Sequence, residues 1–310
     1  MFARIAIVSV VVSIVGHSQT FVHGQDVSFV SLSNPVNAGT KVRPMLESVS
    51  GQLQDGGTLL LCGGGAIPTT VRQRFYEAGK GASGTLVVIP TASEQSDRSD
   101  FARFVDYWAE FHWNKLEILH VGNREASFKD ELPLRQLEQA SAVWIAGGDQ
   151  SRLAERYAGT PIELGLKALI RRGGIVGGTS AGAAIASDAM ISGGYTEPMM
   201  SRGFSMLTNA IVDQHFSQKG RSMRLRTAIC QVPERTGIGI DESTGLFISP
   251  LKSRVVGEGS VFVYKMHGIV PITRSEPRLL DFIDSESMMN TTQLLNGDEI
   301  DTLDLDVFAN

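Results

Sequence analysis

The chain has 310 residues, a formal net charge of -5 and a 42% share of hydrophobic residues. That is enough for one large α/β domain or two small ones, with a core that needs no disulfide. The acidic balance excludes the electrostatic footprint of a nucleic-acid binder. The two cysteines, Cys62 and Cys230, exclude a disulfide framework and lack metal-ligand spacing. Their apolar or helical surroundings read as two buried thiols.

Residues 1–24 open with one positive charge, Arg4, then an apolar run from Ile5 to Val15, then polar residues. Val22 and Gly24 suit the positions before a cleavage site, so this reads as a signal peptide and the mature chain is expected to be exported, periplasmic or secreted. Residues 25–55 are polar and glycine-containing and read as a lead-in. A single α/β domain is expected over 56–310.

From residue 56, apolar strands alternate with helical spacers. "TLLLCGGG" (58–65), "GTLVVIPTAS" (84–93), "KLEILHV" (115–121), "SAVWIAGGDQ" (141–150) and "GGIVGGTSAG" (173–182) read as buried strands. "SDFARFVDYWAEF" (99–111) and "PIELGLKALIRRG" (161–173) read as helices between them. Continuous apolar strands with helical spacers predict a mainly parallel sheet covered on both faces. In such sheets the site lies at the carboxyl ends of the strands, which here are glycine-rich or polar. After 245 the texture shifts to short strands and hairpins: "GLFIS", "SRVVGEG" and "SVFVYKM". From about 279 the chain carries eight acidic residues and no basic ones, an acidic tail read as a solvated edge.

Gly178-Thr179-Ser180-Ala181-Gly182 fits the G-x-S-x-G pattern. A sharp strand-to-helix turn lifts such a serine above the sheet, and glycines keep neighbouring side chains out of its way. The Ala181 N–H then points toward a developing oxyanion. The bland alternative is a close-packed junction. A nucleophilic serine needs a base. Beyond residue 24 there are four histidines: His112, His120, His215 and His267. His112, His120 and His267 fit surface or structural positions. His215 ends the apolar run of "AIVDQHFSQKGRSMRLR", where a strand breaks into Asp, Gln and His before a basic segment. The acid that would orient His215 is sought between Ser180 and His215: Asp188, Glu197 or Asp213. Asp188 follows the nucleophile on its helix and points away. Asp213 shares a strand face with His215 but can instead bind substrate. Glu197, in the loop "SGGYTEPMM", can swing in and is preferred.

The stretches "CGGG" (62–65), "PTAS" (90–93), "AGGDQ" (146–150), "GGTSAGA" (177–183), "IVDQHFSQKGR" (211–221) and "GIGIDE" (237–242) together resemble the cyanophycinases, and more broadly the dipeptidase E-like aspartyl peptidases. The resemblance implies a flavodoxin-like fold related to class I glutamine amidotransferases. It implies Ser180 as nucleophile, His215 as base, and the Gly148 region as a second oxyanion donor beside Ala181. It also implies recognition of a β-aspartyl-arginine unit by Gln150, Asp213, Gln214, Lys219, Arg221 and Arg224, and makes a homodimer plausible. No metal or cofactor is expected. Lys219 departs from the arginine common at that position, keeping the charge without the bidentate fork. The expected function is a serine hydrolase that cuts a cyanophycin-like polymer to β-Asp-Arg dipeptides. The competing expectations are an exopeptidase on short α-aspartyl peptides and a non-catalytic binding protein of the same fold.

Overall fold

The computed structural model describes residues 56–266 and 289–305. The leader, the lead-in, His267 and part of the acidic tail lie outside the described residues.

Five parallel strands form the centre: β1 (Thr58–Cys62), β2 (Thr85–Ile89), β3 (Lys115–Ile118), β4 (Ala142–Ile145) and β5 (Ile175–Thr179), in spatial order β1-β5-β4-β2-β3. These are the five strands expected from the apolar runs. A hairpin, β6 (Ala189–Gly193) with β7 (Met199–Arg202), follows the serine turn. A second sheet then forms from β8 (Ala210–Gln214), β9 (Thr236–Ile240), β12 (Val261–Met266) and β13 (Met289–Leu294). The strands β10 (Thr244–Ile248), β11 (Lys252–Gly257) and β14 (Glu299–Asp301) extend the first sheet antiparallel from the free edge of β1.

Side-chain alternation decides what covers each face. On β1, Leu59 and Leu61 face one cluster while Leu60 and Cys62 face the other. The first cluster is aliphatic. It is covered by α4 (Glu131–Gln139), α5 (Gln150–Tyr157), α6 (Pro161–Arg171) and the short α7 (Ala181–Ala184), which follow α3 (Ala126–Lys129). The second cluster is aromatic. It is covered by α1 (Thr69–Ala78) and α2 (Ala102–Asp106) through Phe75, Phe104 and Trp108. Behind the second sheet lies α8 (Ser222–Gln231), whose Leu225 and Ile229 pack with Ile211, Phe216 and Tyr264. The mixed α/β architecture, mainly parallel at its centre, is the expected one.

Helix α6 starts where the sequence predicts: Thr160 caps the Ile162 N–H at 3.2 Å and Pro161 takes the first helical position. The helix expected over 99–111 is shorter. It ends at Asp106 and continues as tight turns, with Trp108 N–H to Val105 and Phe111 N–H to Trp108. These turns carry both Trp108 and Phe111 into the aromatic cluster. Among the described residues, no helix is long and apolar enough to cross a membrane.

Phe75 links the aromatic layer to the sheet. Its ring lies 5.0 Å from Trp108 and 5.2 Å from Trp144 between centroids, and a Cβ on Gly177 would come within 2.7 Å of it. Phe75→Ala should therefore lower stability by about 3–5 kcal/mol, measured by urea denaturation.

Candidate active site

The site stands at the carboxyl ends of β1, β4 and β5. At the end of β5, Ser180 has φ 53° and ψ -113°, a conformation rarely adopted by a side-chain-bearing residue and held only by its surroundings. The glycines on either side let strand and helix close up. A Cβ on Gly178 would lie 2.2 Å from the Gly182 carbonyl oxygen, and one on Gly182 would lie 2.2 Å from that of Ile145. The two readings of the serine turn are therefore one: close packing makes the elbow that presents the hydroxyl.

Ser180 Oγ lies 2.8 Å from His215 Nε2. His215 follows β8 directly, at φ 50°, and its Nδ1 is 2.5 Å from Glu242 Oε1. With the imidazole neutral, Nδ1–H donates to Glu242, which leaves Nε2 to accept the Ser180 proton. The Glu242 N–H in turn donates to Gln218 Oε1 at 3.0 Å, tying the acid to the loop that follows His215. Burial pushes the His215 pKa below its ordinary value. The Glu242 carboxylate opposes that shift, and the Lys219 and Arg221 charges reinforce it.

The carboxylate that contacts His215 is Glu242, not the Glu197 expected from the sequence. Glu197 sits exposed in the turn joining β6 and β7, while Glu242 occupies Nδ1. Asp213, the other candidate, is fully buried and paired with Arg224: Nε donates to Oδ2 at 2.9 Å and Nη2 to Oδ1. The signal that could have found Glu242 is "GIGIDE", an alternating strand that runs into two acids beside the site.

Several of the expected substrate-binding residues are engaged by the protein. Gln150 Nε2 donates to the Ile191 carbonyl at 2.8 Å and to that of Ser192 at 3.2 Å. Arg224 Nη1 donates to the Gly194 carbonyl at 2.7 Å. These two side chains and Asp213 hold the β6–β7 hairpin. Gln214 is buried, and its carbonyl accepts from Arg221 Nη1. Lys219 and Arg221 line a cleft of about 430 Å³ together with Tyr195, Gln218 and Arg224.

Ala181 is the first residue of α7, so its N–H has no acceptor within the helix. Opposite it runs the Gly147–Gly148 turn: a Cβ on Gly147 would stand 3.4 Å from Ser180 Cβ. Gly148 has φ 149°, and its missing Cβ would lie 2.2 Å from the Ala92 carbonyl oxygen. That carbonyl accepts the Asp149 N–H at 2.9 Å, so "PTAS" supports "AGGDQ".

His120 Nδ1 lies 2.9 Å from Thr91 Oγ1, and burial lowers its pKa to about 4. His112 is exposed. Cys62 and Cys230 are free thiols, Cys62 buried and Cys230 half-buried, and burial raises the pKa of both. Among the described residues, no three His, Cys, Asp or Glu side chains converge to hold a metal.

A serine peptidase is the class that this fold and serine site define. The chain belongs to Peptidase family S51, whose pattern matches residues 59–256. It is 34% identical over 217 residues to a cyanophycinase from Geminocystis herdmanii (strain PCC 6308), covering 64% of this chain and 79% of that one. It is 32% identical over 219 residues to a cyanophycinase from Synechococcus elongatus, covering 67% of each. A solved peptidase from an acI-B1 Actinobacterium shares the fold with a TM-score of 0.61 at 21% identity, covering 81% of this chain and 98% of that one.

Glu242→Gln should lower kcat about 10²–10⁴-fold, whereas Glu197→Gln should stay within about twofold of the parent. Only a neutral His215 leaves Nε2 free to accept from Ser180, so kcat/KM should fall on the acid side as it protonates. The lowered pKa sets that limb below the ordinary histidine range. Glu242 raises the His215 pKa, so its loss should move the limb to still lower pH. Steady-state pH profiles of the three proteins check both statements.

Proposed function

We propose that this chain is an exported serine hydrolase that cuts β-aspartyl-arginine polymer to β-Asp-Arg dipeptides. The observation that carries the reading is the relay Ser180–His215–Glu242, with spacings of 2.8 and 2.5 Å. A protein kept only for binding has no need of a strained serine aligned on a histidine–carboxylate pair. The apolar leader at residues 1–24 supports export.

Ser180 Oγ attacks the scissile carbonyl as its proton passes to His215 Nε2. Glu242 stabilises the imidazolium that forms. The carbonyl oxygen gains its charge between the Ala181 N–H and the Gly148 N–H, in donors already held in place. His215 then gives the proton to the leaving amine, and water, activated by the same imidazole, releases the acyl unit. No step needs a cofactor.

The cleft supports this substrate class. Each β-Asp-Arg unit carries a carboxylate, and Lys219 and Arg221 supply cations beside His215. The naming of relatives as cyanophycinases supports the same substrate. Gln150, Asp213, Gln214 and Arg224 contribute by shaping the hairpin wall of that cleft.

The purified protein, incubated with the polymer, should release β-Asp-Arg dipeptide, identified by mass spectrometry. Ser180→Ala should lower the rate at least ~10³-fold. Equal release by both proteins would sink the mechanism, and faster hydrolysis of short α-aspartyl dipeptides would reassign the substrate.

A further inference from the structure

Outside the catalytic relay, two guanidinium groups meet on Asp97. Arg156 Nη2 donates to Asp97 Oδ1 at 2.9 Å, and Arg152 Nη2 donates to Oδ2. Both arginines project from α5, which starts directly after the Gly147–Gly148–Asp149 turn. Asp97 lies in the turn Glu94–Arg98, which follows "PTAS" at the end of β2. The ion pairs therefore join the helix after β4 to the loop after β2.

Arg152 also holds the main chain of that loop. Its Nε donates to the Thr91 carbonyl at 3.1 Å. Thr91 is fully buried, and its Oγ1 lies 2.7 Å from Tyr157 Oη and 2.9 Å from His120 Nδ1. The Tyr157 hydroxyl accepts the Val121 N–H at 3.1 Å. Thr91 is thus gripped at both its polar groups. The next residue is Ala92, whose carbonyl accepts the Asp149 N–H at 2.9 Å and lies 2.2 Å from where a Gly148 Cβ would stand. The Gly148 N–H has no acceptor among the described residues. A ring closes in this way. Backbone links Ala92 to Asp149, the Asp149 side chain caps the Ser151 N–H at 2.8 Å, and Arg152 returns to Thr91.

We propose that Arg152 is a positioning residue for the oxyanion turn: by clamping the Thr91 carbonyl, with Asp97 holding its guanidinium, it fixes where the Gly148 N–H points. The inference rests on the hydrolase reading above, in which that N–H receives the oxyanion. Arg152 acts through Thr91 and Ala92. A donor aimed at a developing charge works because it is held in place beforehand. Slackening it raises the barrier and leaves ground-state binding nearly untouched, so the loss falls on kcat. The planar fork serves Thr91 and Asp97 at once. Lysine, with a single ammonium, keeps the charge and loses that double geometry.

The test compares the parent, Arg152→Met, Arg152→Lys and Asp97→Asn on a short β-Asp-Arg oligomer, with Ser180→Ala as control. Arg152→Met should lower kcat about 10–100-fold with KM within about threefold. Arg152→Lys should restore part of that loss, and Asp97→Asn should show a smaller loss in kcat. A fluorophosphonate probe gives a readout independent of the peptide. Ser180 Oγ bonds to phosphorus, fluoride leaves, His215 takes the hydroxyl proton, and the phosphoryl oxygen takes the oxyanion position. Its rate of labelling should fall with kcat across the series. An unchanged kcat and labelling rate in folded Arg152→Met, or a rise in KM alone, overturns the role, while hydrolysis that still depends on Ser180 leaves the hydrolase standing. If Arg152→Met does not fold, unchanged kcat in both Arg152→Lys and Asp97→Asn overturns it. A parent protein that neither cuts the oligomer nor takes up the probe removes the hydrolase reading, and this role with it.

Discussion

Three consecutive carbonyls at the end of β1 hold the site together. Cys62 accepts the Ser180 N–H at 2.9 Å, Gly63 accepts the His215 N–H at 2.7 Å, and Gly64 accepts the Ser243 N–H at 2.9 Å, next to Glu242. Nucleophile, base and acid come from three separate parts of the chain, yet one short backbone segment sets the spacing of all three. The segment must be glycine where the neighbours press hardest. A Cβ on Gly63 would fall 2.0 Å from the Asp241 carbonyl oxygen, and one on Gly64 would fall 2.3 Å from the His215 ring. The "CGGG" run is thus a template whose lack of side chains lets the histidine and the acid-bearing turn lie directly against it.

The cationic side of the site is organised by a different constraint. Asp213 is fully buried, and an isolated carboxylate there would be costly. The Arg224 fork answers it with two hydrogen bonds, and its Nη1 donates to the hairpin backbone at the Gly194 carbonyl. Such a buried pair contributes position more than stability, because desolvation offsets most of its Coulomb energy. Gln150 does the same from the other strand end. The hairpin that bears Tyr195 and Glu197 is consequently fixed by residues that sequence alone assigned to substrate, and of the cations on the cleft wall Arg221 also donates to Asp213 Oδ1 at 3.4 Å.

Much of this was legible in the sequence, for identifiable reasons. The parallel strands announce themselves because burial on both faces requires continuous apolar runs, and Ser180 and His215 stand where such runs break into glycine or polar residues. Glu242 was missed because its contact with His215 is made by topology. Strands β8 and β9 are parallel neighbours, with Gln214 opposite Ile240, so the residues just past their ends, His215 and Glu242, emerge side by side although 27 positions separate them. No local pattern encodes that adjacency. That Gln150 and Arg224 also hold the hairpin was not legible for a related reason. A polar side chain near a site reads as a substrate contact until its burial is known, and burial demands a partner within the protein.

The same template accounts for how the site tolerates its own strain. Ser180 and His215 both sit at positive φ, which costs on the order of 1–3 kcal/mol per residue. Relaxing either one alone would break its N–H bond to β1 and separate Oγ from Nε2. The strained conformations are mutually supporting, since each is held by a carbonyl adjacent to the one that holds the other. Such coupling favours a site that is either wholly assembled or lost.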